Sequence, residues 1–126
     1  MDAKVLKECE VLAFKNKIAF PEVVRRLTET GVERYCADLV NLEKFYYSVG
    51  GQALTEKIPL KDAPKIGFVF DAAQVQEAIR TIQRGKIDYP EFLRRIMKAG
   101  VVYYDLISFS CPAIENNDRP VFQYFV

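Results

Sequence analysis

The chain has 126 residues, of which 50% are hydrophobic and 28% are charged, with six glycines and six prolines. This composition predicts one packed domain and excludes a disordered or fibrous chain. Eighteen Lys and Arg residues against 17 Asp and Glu residues leave a net charge of +1, so nucleic acid and membrane surfaces are not expected as partners.

Histidine is absent from the sequence. Its absence excludes Ser-His-Asp and Cys-His nucleophile systems, histidine-based zinc sites and the usual general base near neutral pH. No Gly-rich phosphate-binding loop is present either, because Gly50-Gly51 lies between two predicted strands. No cofactor is therefore expected.

Three cysteines, Cys9, Cys36 and Cys111, lie far apart and outside any Cys-x-x-Cys spacing. This odd, scattered set predicts buried or half-buried thiols in a reducing compartment rather than a disulfide framework. Residues 1–10 carry charges throughout and offer neither a signal-peptide core nor a membrane span. We therefore expect a cytoplasmic protein.

A shift of 69 positions aligns the chain with itself without a gap and gives twelve identities within residues 2–35. The identities include Arg25-Arg26 with Arg94-Arg95 and Gly31-Val32 with Gly100-Val101. So many matches in one register predict an internal duplication. The expected organisation is a single domain over residues 1–126, made of two repeats at about 2–58 and 71–126 that a short linker joins.

Each repeat begins with two predicted helices. The first runs from Asp2 to about residue 15, and its counterpart begins at Asp71; in both, apolar residues at helical spacing follow an Asp suited to the N-cap. The second helix carries an apolar stripe at i, i+3, i+4 and i+7, with a proline in its first turn and a glycine that ends it. The stripe residues are Phe20, Val23, Val24 and Leu27 in one repeat and Tyr89, Phe92, Leu93 and Ile96 in the other.

Strands are predicted after each helix pair, over residues 32–39, 45–49 and 52–58 and again over 101–107, 109–114 and 121–126. Residues 59–64 form the linker, and residues 66–70 are predicted to add one more strand. The resulting fold class is α+β, with two ααβββ repeats whose sheets share one core.

Residues 80–91 superficially match an EF-hand calcium loop, with Gly85 and Glu91 at two of its signature positions. The positions that should supply oxygen ligands instead hold Arg80, Ile82 and Arg84, and arginines repel calcium. A helix-turn-helix with a capped second helix is the favoured interpretation, and no metal site is expected.

Two residue sets are candidates for ligand binding. The arginine pairs would suit a phosphate or carboxylate, although glutamates one helical turn earlier offer them surface ion pairs instead. Tyrosines on the predicted strands would stack a flat ligand, although core packing explains them equally simply. The candidate binding residues are Arg25, Arg26, Tyr35, Tyr47, Arg94, Arg95 and Tyr104.

Turn glycines and apolar positions recur in a characteristic order over most of the chain. They include Gly31-Val32-Glu33-Arg34-Tyr35, Lys44-Phe45-Tyr46-Tyr47, Gly50-Gly51, Ile58-Pro59, Ala78-Ile79-Arg80, Gly85-Lys86 and Ala99-Gly100-Val101 through Tyr104. In these positions the chain resembles the DUF1398 (YbcV-like) family of uncharacterised bacterial and phage proteins. It departs from that pattern at Ser110-Cys111-Pro112, where a more regular aromatic strand is expected. The resemblance implies a phage or prophage origin but no activity, cofactor or catalytic residue.

Three hypotheses of function follow. The first is a non-catalytic binding or interaction protein that acts as a homodimer, through its uncharged last segment (residues 121–126), or as an adaptor for another protein. The second is a small-molecule-binding protein with a pocket at the repeat junction, lined by Tyr and Arg. The third is a histidine-free enzyme, which convergent carboxylates or a lysine of depressed pKa would favour.

Overall fold

The computed structural model describes residues 1–107 and 123–125. Within them the chain has an α+β fold of four helices and a five-stranded sheet. In chain order the elements are α1 (Ala3–Phe14), α2 (Phe20–Glu29), β1 (Val32–Asp38), β2 (Glu43–Ser48), β3 (Ala53–Lys57), α3 (Ala72–Gln83), α4 (Tyr89–Lys98), β4 (Tyr103–Ile107) and β5 (Gln123–Phe125).

All four helices begin and end where the local sequence predicts. The side chains of Asp2 and Asp71 accept hydrogen bonds from backbone N–H groups in the first turns of α1 and α3, which satisfies donors that a helix start leaves unpaired. Gly31 and Gly100 follow α2 and α4 with φ values of 96° and 92°, a left-handed conformation that glycine adopts without a Cβ penalty.

The strands form one sheet in the order β3-β2-β1-β4-β5 rather than the two sheets expected from the repeats. The expectation of two sheets was wrong because β1 pairs directly and antiparallel with β4, which joins the first group of strands to the second. β5 pairs parallel with β4 at the far edge.

The pairing of β1 with β4 has a symmetric register. Cys36 lies opposite Asp105, and these residues are 69 positions apart. The neighbouring pairs are Tyr35 with Leu106 and Ala37 with Tyr104. They follow the same shift, because Tyr104 lies 69 positions after Tyr35 and Leu106 lies 69 positions after Ala37. The helix bounds obey the same shift, since α1 maps onto α3 and α2 onto α4. The register of β1 with β4 and the helix bounds therefore follow the same 69-residue shift.

The hydrophobic core lies between the helices and one face of the sheet. Because strand side chains alternate between faces, every second residue of β2 points to the helices, as does every second residue of β1 after the irregularity between Val32 and Arg34. Fully buried members from both layers are Leu6, Leu27, Tyr35, Ala37, Tyr46, Phe92, Leu93, Ile96 and Tyr104. The same alternation also carries a charged residue, Lys44, into this layer.

The predicted strand at residues 66–70 is wrong, because this segment is irregular. Its backbone wraps the end of α4 instead, and the Gly67 N–H donates to the Met97 carbonyl at 3.0 Å. A Cβ on Gly67 would lie 2.4 Å from the carbonyl oxygen of Lys98, so only glycine permits this approach. The segment leaves three consecutive apolar side chains, Phe68, Val69 and Phe70, exposed.

The predicted strand at 109–114 lies outside the described residues, as do Cys111 and the departure at Ser110-Cys111-Pro112. Of the predicted last strand, three residues are described, as β5. Among the described helices, none combines the length and the apolar character that crossing a bilayer requires.

Candidate functional site

A pocket of about 240 Å³ opens where the two helix pairs meet. We call it the junction pocket; its lining residues are Ala13, Asn16, Lys17, Ile18, Ala19, Phe20, Val23, Ile82, Gly85, Ile87, Asp88 and Tyr89. Cavities of about 150 Å³ already admit benzene, whereas drug-sized ligands need about 300 Å³ or more. The junction pocket therefore suits a ligand of one or two small rings.

Short connections between paired helices create this pocket. The turn after α1 passes through Asn16 at φ 54°, and the turn after α3 passes through Gly85 at φ 69°. These left-handed residues turn the chain into α2 and α4, whose first residues, Phe20 and Tyr89, stack with ring centroids 6.0 Å apart. An aromatic pair from the two halves thus forms part of the pocket wall.

Behind these rings lies a buried ion pair between α1 and β2. Lys44 Nζ lies 2.8 Å from Glu10 Oε2, and only 4% and 5% of the two side chains are exposed. Tyr46 donates its hydroxyl hydrogen to the same carboxylate oxygen at 3.3 Å. Two charges and a phenol therefore share the core with apolar neighbours.

Aromatic rings surround the Lys44 ammonium. Its Nζ lies 4.2 Å from the ring centroid of Tyr89 and 4.7 Å from that of Tyr35, within the range of cation–π attraction. Burial lowers the pKa of Lys44, while the adjacent Glu10 carboxylate opposes that change by favouring the charged amine. The rings and the carboxylate together replace the water that the ammonium has lost.

A chain of hydrogen-bonded phenols adjoins this cluster. The hydroxyls of Tyr35 and Tyr104, residues at equivalent positions, lie 3.0 Å apart, and the Tyr89 hydroxyl is hydrogen-bonded to that of Tyr104. Burial raises the pKa values of Tyr89 and Tyr104 well above the ordinary value for a phenol. Both tyrosines therefore remain protonated and act as hydrogen-bonding groups rather than bases near neutral pH.

The second oxygen of Glu10, Oε1, is buried and has no hydrogen-bond partner among the described residues. The Glu10 residue lines a cavity of about 10 Å³, which we call the Glu10 cavity; the lining residues are Cys9, Glu10, Ala13, Phe20, Val23, Lys44, Tyr46 and Tyr89. Four of these residues, Ala13, Phe20, Val23 and Tyr89, also line the junction pocket. The two spaces are therefore neighbours that share these four lining residues.

The candidate arginines lie elsewhere, in helix-surface contacts. Arg25 and Arg26 both bind Glu22, and their hydrogen bonds lower the pKa of that carboxyl to about 2. Arg95 binds Glu91 at 3.0 Å. Arg25, Arg26 and Arg95 thus pair with glutamates on their own helices, which was the alternative to ligand binding.

Arg94 donates instead to the backbone carbonyl of Lys61 at 3.0 Å. It lines a shallower groove that also includes Phe14 and Pro90. We expected Tyr and Arg to line a pocket at the repeat junction. Among the described residues, the lining of the junction pocket contains Tyr89 but no arginine.

The candidate tyrosines divide between the two faces of the sheet. Tyr35 and Tyr104 meet in the phenol chain behind the junction pocket. Tyr47 lies on the opposite face, where the guanidinium carbon of Arg34 is 4.0 Å from its ring centroid. Of the seven candidate residues, the structure therefore brings Tyr35 and Tyr104 to the polar cluster.

Glu10 and Lys44 were missed by the sequence reasoning, although both carry a signal. Glu10 follows Leu6 by four positions and precedes Ala13 by three, so it lies on the apolar face of α1. Lys44 precedes Tyr46 by two positions and shares its face of β2. An acidic residue on the apolar face of α1 and a basic residue on the buried face of β2 together would have indicated an internal ion pair.

The EF-hand-like segment adopts the predicted helix-turn-helix, and the Asp88 carboxylate caps α4 by accepting from the Glu91 N–H at 2.9 Å. The described residues contain no cluster of three or more Cys, Asp or Glu side chains that would hold a metal ion. Cys9 and Cys36 are free thiols, buried and half-buried as predicted.

Comparison of the chain with protein-family models, with curated proteins and with solved structures gave no match. The resemblance to the DUF1398 family and the phage origin it implies therefore stay predictions. Function has to be argued from the junction pocket and the polar cluster behind it.

Proposed function

We propose that the protein is a non-catalytic binding protein whose ligand is a small molecule held in the junction pocket. The observation that carries this proposal is the position of the pocket, which is backed by the buried Glu10–Lys44 ion pair. A concave, mostly apolar space with a few convergent polar groups is the usual form of a ligand site.

Energetics support a role for the ion pair beyond packing. Moving a carboxylate and an ammonium out of water costs several kcal/mol for each ion, and apolar residues of similar volume are often equally stable or more so. The cluster also breaks the symmetry of the fold, since Ile79 stands 69 positions after Glu10. A costly feature built into one half alone, beside a pocket, suits ligand recognition better than stability.

Binding is a better account of this site than catalysis. The lowered pKa of Lys44 is the feature that would favour a histidine-free enzyme. Its amine is nevertheless held by Glu10 at 2.8 Å and enclosed by rings, and the phenols nearby remain protonated. These groups suit the recognition of a ligand more than attack on it.

A second candidate function is binding to another protein, as a homodimer or an adaptor. The exposed segment Phe68-Val69-Phe70 favours it, because three neighbouring apolar side chains in water are typical of an interaction surface. The uncharged sequence around β5, at the edge of the sheet, favours it as well.

We also propose that the two halves arose by duplication of one ααβββ unit. Twelve gapless identities, helix bounds that differ by 69 throughout, and the symmetric register of β1 with β4 support this origin. A pocket at the junction of two such units is then a product of their packing.

Indole provides a direct test of the binding proposal. Because the chain contains no tryptophan, the fluorescence of added indole can be excited selectively and followed during titration with protein. We expect saturable binding that weakens at least tenfold in Ala13→Leu, which fills the pocket, and is unchanged in Ala3→Leu. Ala3 is exposed at the start of the same helix, so it provides a matched control.

Thermal melts of both variants separate loss of binding from loss of folding. The binding proposal fails if neither indole, phenol nor toluene binds saturably to the folded wild-type protein. It also fails if binding occurs but Ala13→Leu and Ala3→Leu affect it equally.

A further inference from the structure

The unpartnered oxygen of Glu10 is the feature that the proposed pocket does not yet explain. Oε2 accepts from Lys44 and Tyr46, whereas Oε1 has no partner among the described residues although the side chain is 95% buried. A buried acceptor without a donor is costly, and such atoms are rare in folded proteins. Because Glu10 lines the Glu10 cavity, a donor placed in that cavity is the one we consider for this acceptor.

The charge balance of the cluster restricts which donor fits. Lys44 already neutralises the Glu10 carboxylate at 2.8 Å, so a second cation would place two like charges together in a site closed to water. An anion would face the carboxylate itself. A neutral hydroxyl or N–H group satisfies Oε1 without adding a buried charge.

The size of the two spaces restricts the rest of the ligand. The Glu10 cavity, at about 10 Å³, is close to the minimum volume that one water requires, so it accepts a single polar group. The junction pocket, at about 240 Å³, accepts an apolar or aromatic body. Phe20, Val23 and Tyr89 line both spaces, and Phe20 is the most exposed of the three.

We infer that the ligand is a neutral, compact aromatic or cyclic molecule with one hydroxyl or N–H group, and that this group donates a hydrogen bond to Glu10 Oε1. The inference rests on the proposed function, because it places the body of the ligand in the junction pocket. Displacement of the Phe20 ring joins the pocket to the Glu10 cavity.

Phenol and toluene form the decisive pair of probes. They have the same number of non-hydrogen atoms, but phenol alone can donate a hydrogen bond. Their dissociation constants are measured by calorimetry or by displacement of indole, with wild-type protein and with Glu10→Gln. The dissociation constant of toluene divided by that of phenol measures the preference for phenol. We expect this ratio to fall about tenfold or more in the variant, because the charged acceptor is lost.

The phenol and toluene measurements distinguish failure of this inference from failure of the proposed function. If neither probe binds, the pocket is not a ligand site and the proposed function is wrong. If both bind and Glu10→Gln leaves their ratio unchanged, the pocket binds ligands but Glu10 does not select a donor, and the inference alone is wrong.

Glu10→Gln leaves the Lys44 ammonium without its carboxylate and risks unfolding the protein. The double variant Glu10→Gln with Lys44→Met removes both charges and allows the same comparison of probes. A measurement on the wild-type protein needs no variant: the carboxylate carbon resonance of Glu10 should shift on addition of phenol and not of toluene. An ordered water that stays on Oε1 while phenol is bound would overturn the inference.

Discussion

At the scale of single residues, Glu10 and Lys44 dominate the energetics of the core. Both side chains are buried, and Lys44 Nζ lies 2.8 Å from the Glu10 carboxylate. Removing one partner leaves the other as an uncompensated buried charge, whereas removing both leaves an apolar core.

Lys44→Ala should therefore lower the free energy of unfolding by about 3–5 kcal/mol, the usual cost of breaking a buried pair. Glu10→Leu combined with Lys44→Met should recover most of that loss. Urea denaturation measures both. Arg95→Ala, which breaks an exposed pair with Glu91, is the control and should cost less than about 1 kcal/mol. Equal losses for Lys44→Ala and Arg95→Ala would show that the buried pair is not energetically special.

Cys36 lies on the opposite face of the sheet, and its reactivity is also set by burial. Burial, the charge of Asp105 and a hydrogen bond with that carboxylate raise the pKa of the Cys36 thiol from 9.0 to about 12. The protonated form is thus favoured in the folded state. Its folded-state pKa exceeds its unfolded value, so its contribution to stability is present below pH 9 and is lost as the pH rises toward 12.

Alkylation by iodoacetamide tests this shift. At pH 8 the folded thiol should react about thirtyfold more slowly than the urea-unfolded thiol. Its thiolate fraction is about a thousandfold smaller, and the greater nucleophilicity of the more basic thiolate offsets only part of that difference. Above pH 9 the unfolded rate should level off while the folded rate keeps rising. Mass spectrometry of the Cys36 peptide gives both rates, and equal rates at pH 8 would contradict the assigned pKa.

At the scale of secondary-structure elements, the two halves differ in how their second helices begin. Asp88 caps α4 through the Glu91 N–H, but Ala19 precedes α2 with no side-chain hydrogen bond. The backbone of both residues is extended, with φ and ψ of −85° and 174° at Asp88 and −77° and 157° at Ala19. An aspartate at position 19 would thus be placed to cap α2.

Ala19→Asp should stabilise the protein by about 0.5–1 kcal/mol, and Asp88→Ala should destabilise it by about 1 kcal/mol, as is typical of an N-cap. The reciprocal substitutions serve as each other's control because they exchange one residue between equivalent positions. Thermal denaturation near neutral pH measures both effects, and a destabilising Ala19→Asp would show that the two helix starts are not equivalent.

At the scale of the whole molecule, one sheet joins both halves. Among the described residues β3 and β5 are its outermost strands, and each is paired on one side there. Exposed strand edges attract further strands unless charge, proline or covering elements prevent pairing. The sequence around β5, residues 121–126, carries no charge of its own.

We therefore predict a homodimer that forms through the edge at β5. Light scattering at micromolar concentration should give twice the mass of 14.5 kDa. Gln123→Lys should weaken the dimer by placing a charge on β5, while the same change at Gln52, in the exposed turn between β2 and β3, should not. A strictly monomeric wild-type protein would refute this prediction.

The local features of this protein could be predicted from neighbouring residues. The bounds of the helices, the capping roles of Asp2 and Asp71 and the left-handed glycines after α2 and α4 depend on neighbours within one or two turns. The buried face of β2 follows from simple alternation, and that of β1 does so after the irregularity between Val32 and Arg34. These properties could be predicted because short-range sterics and hydrogen bonds decide them.

The strand pairing across the sheet and the candidate site could not be predicted from the sequence, because both depend on contacts between distant residues. The pairing of β1 with β4 joins residues about 70 positions apart, and the Glu10–Lys44 pair joins residues 34 positions apart. The junction pocket likewise exists because two distant turns meet. Local sequence patterns do not specify such long-range contacts, because which distant faces pack together depends on the burial and register of the whole chain.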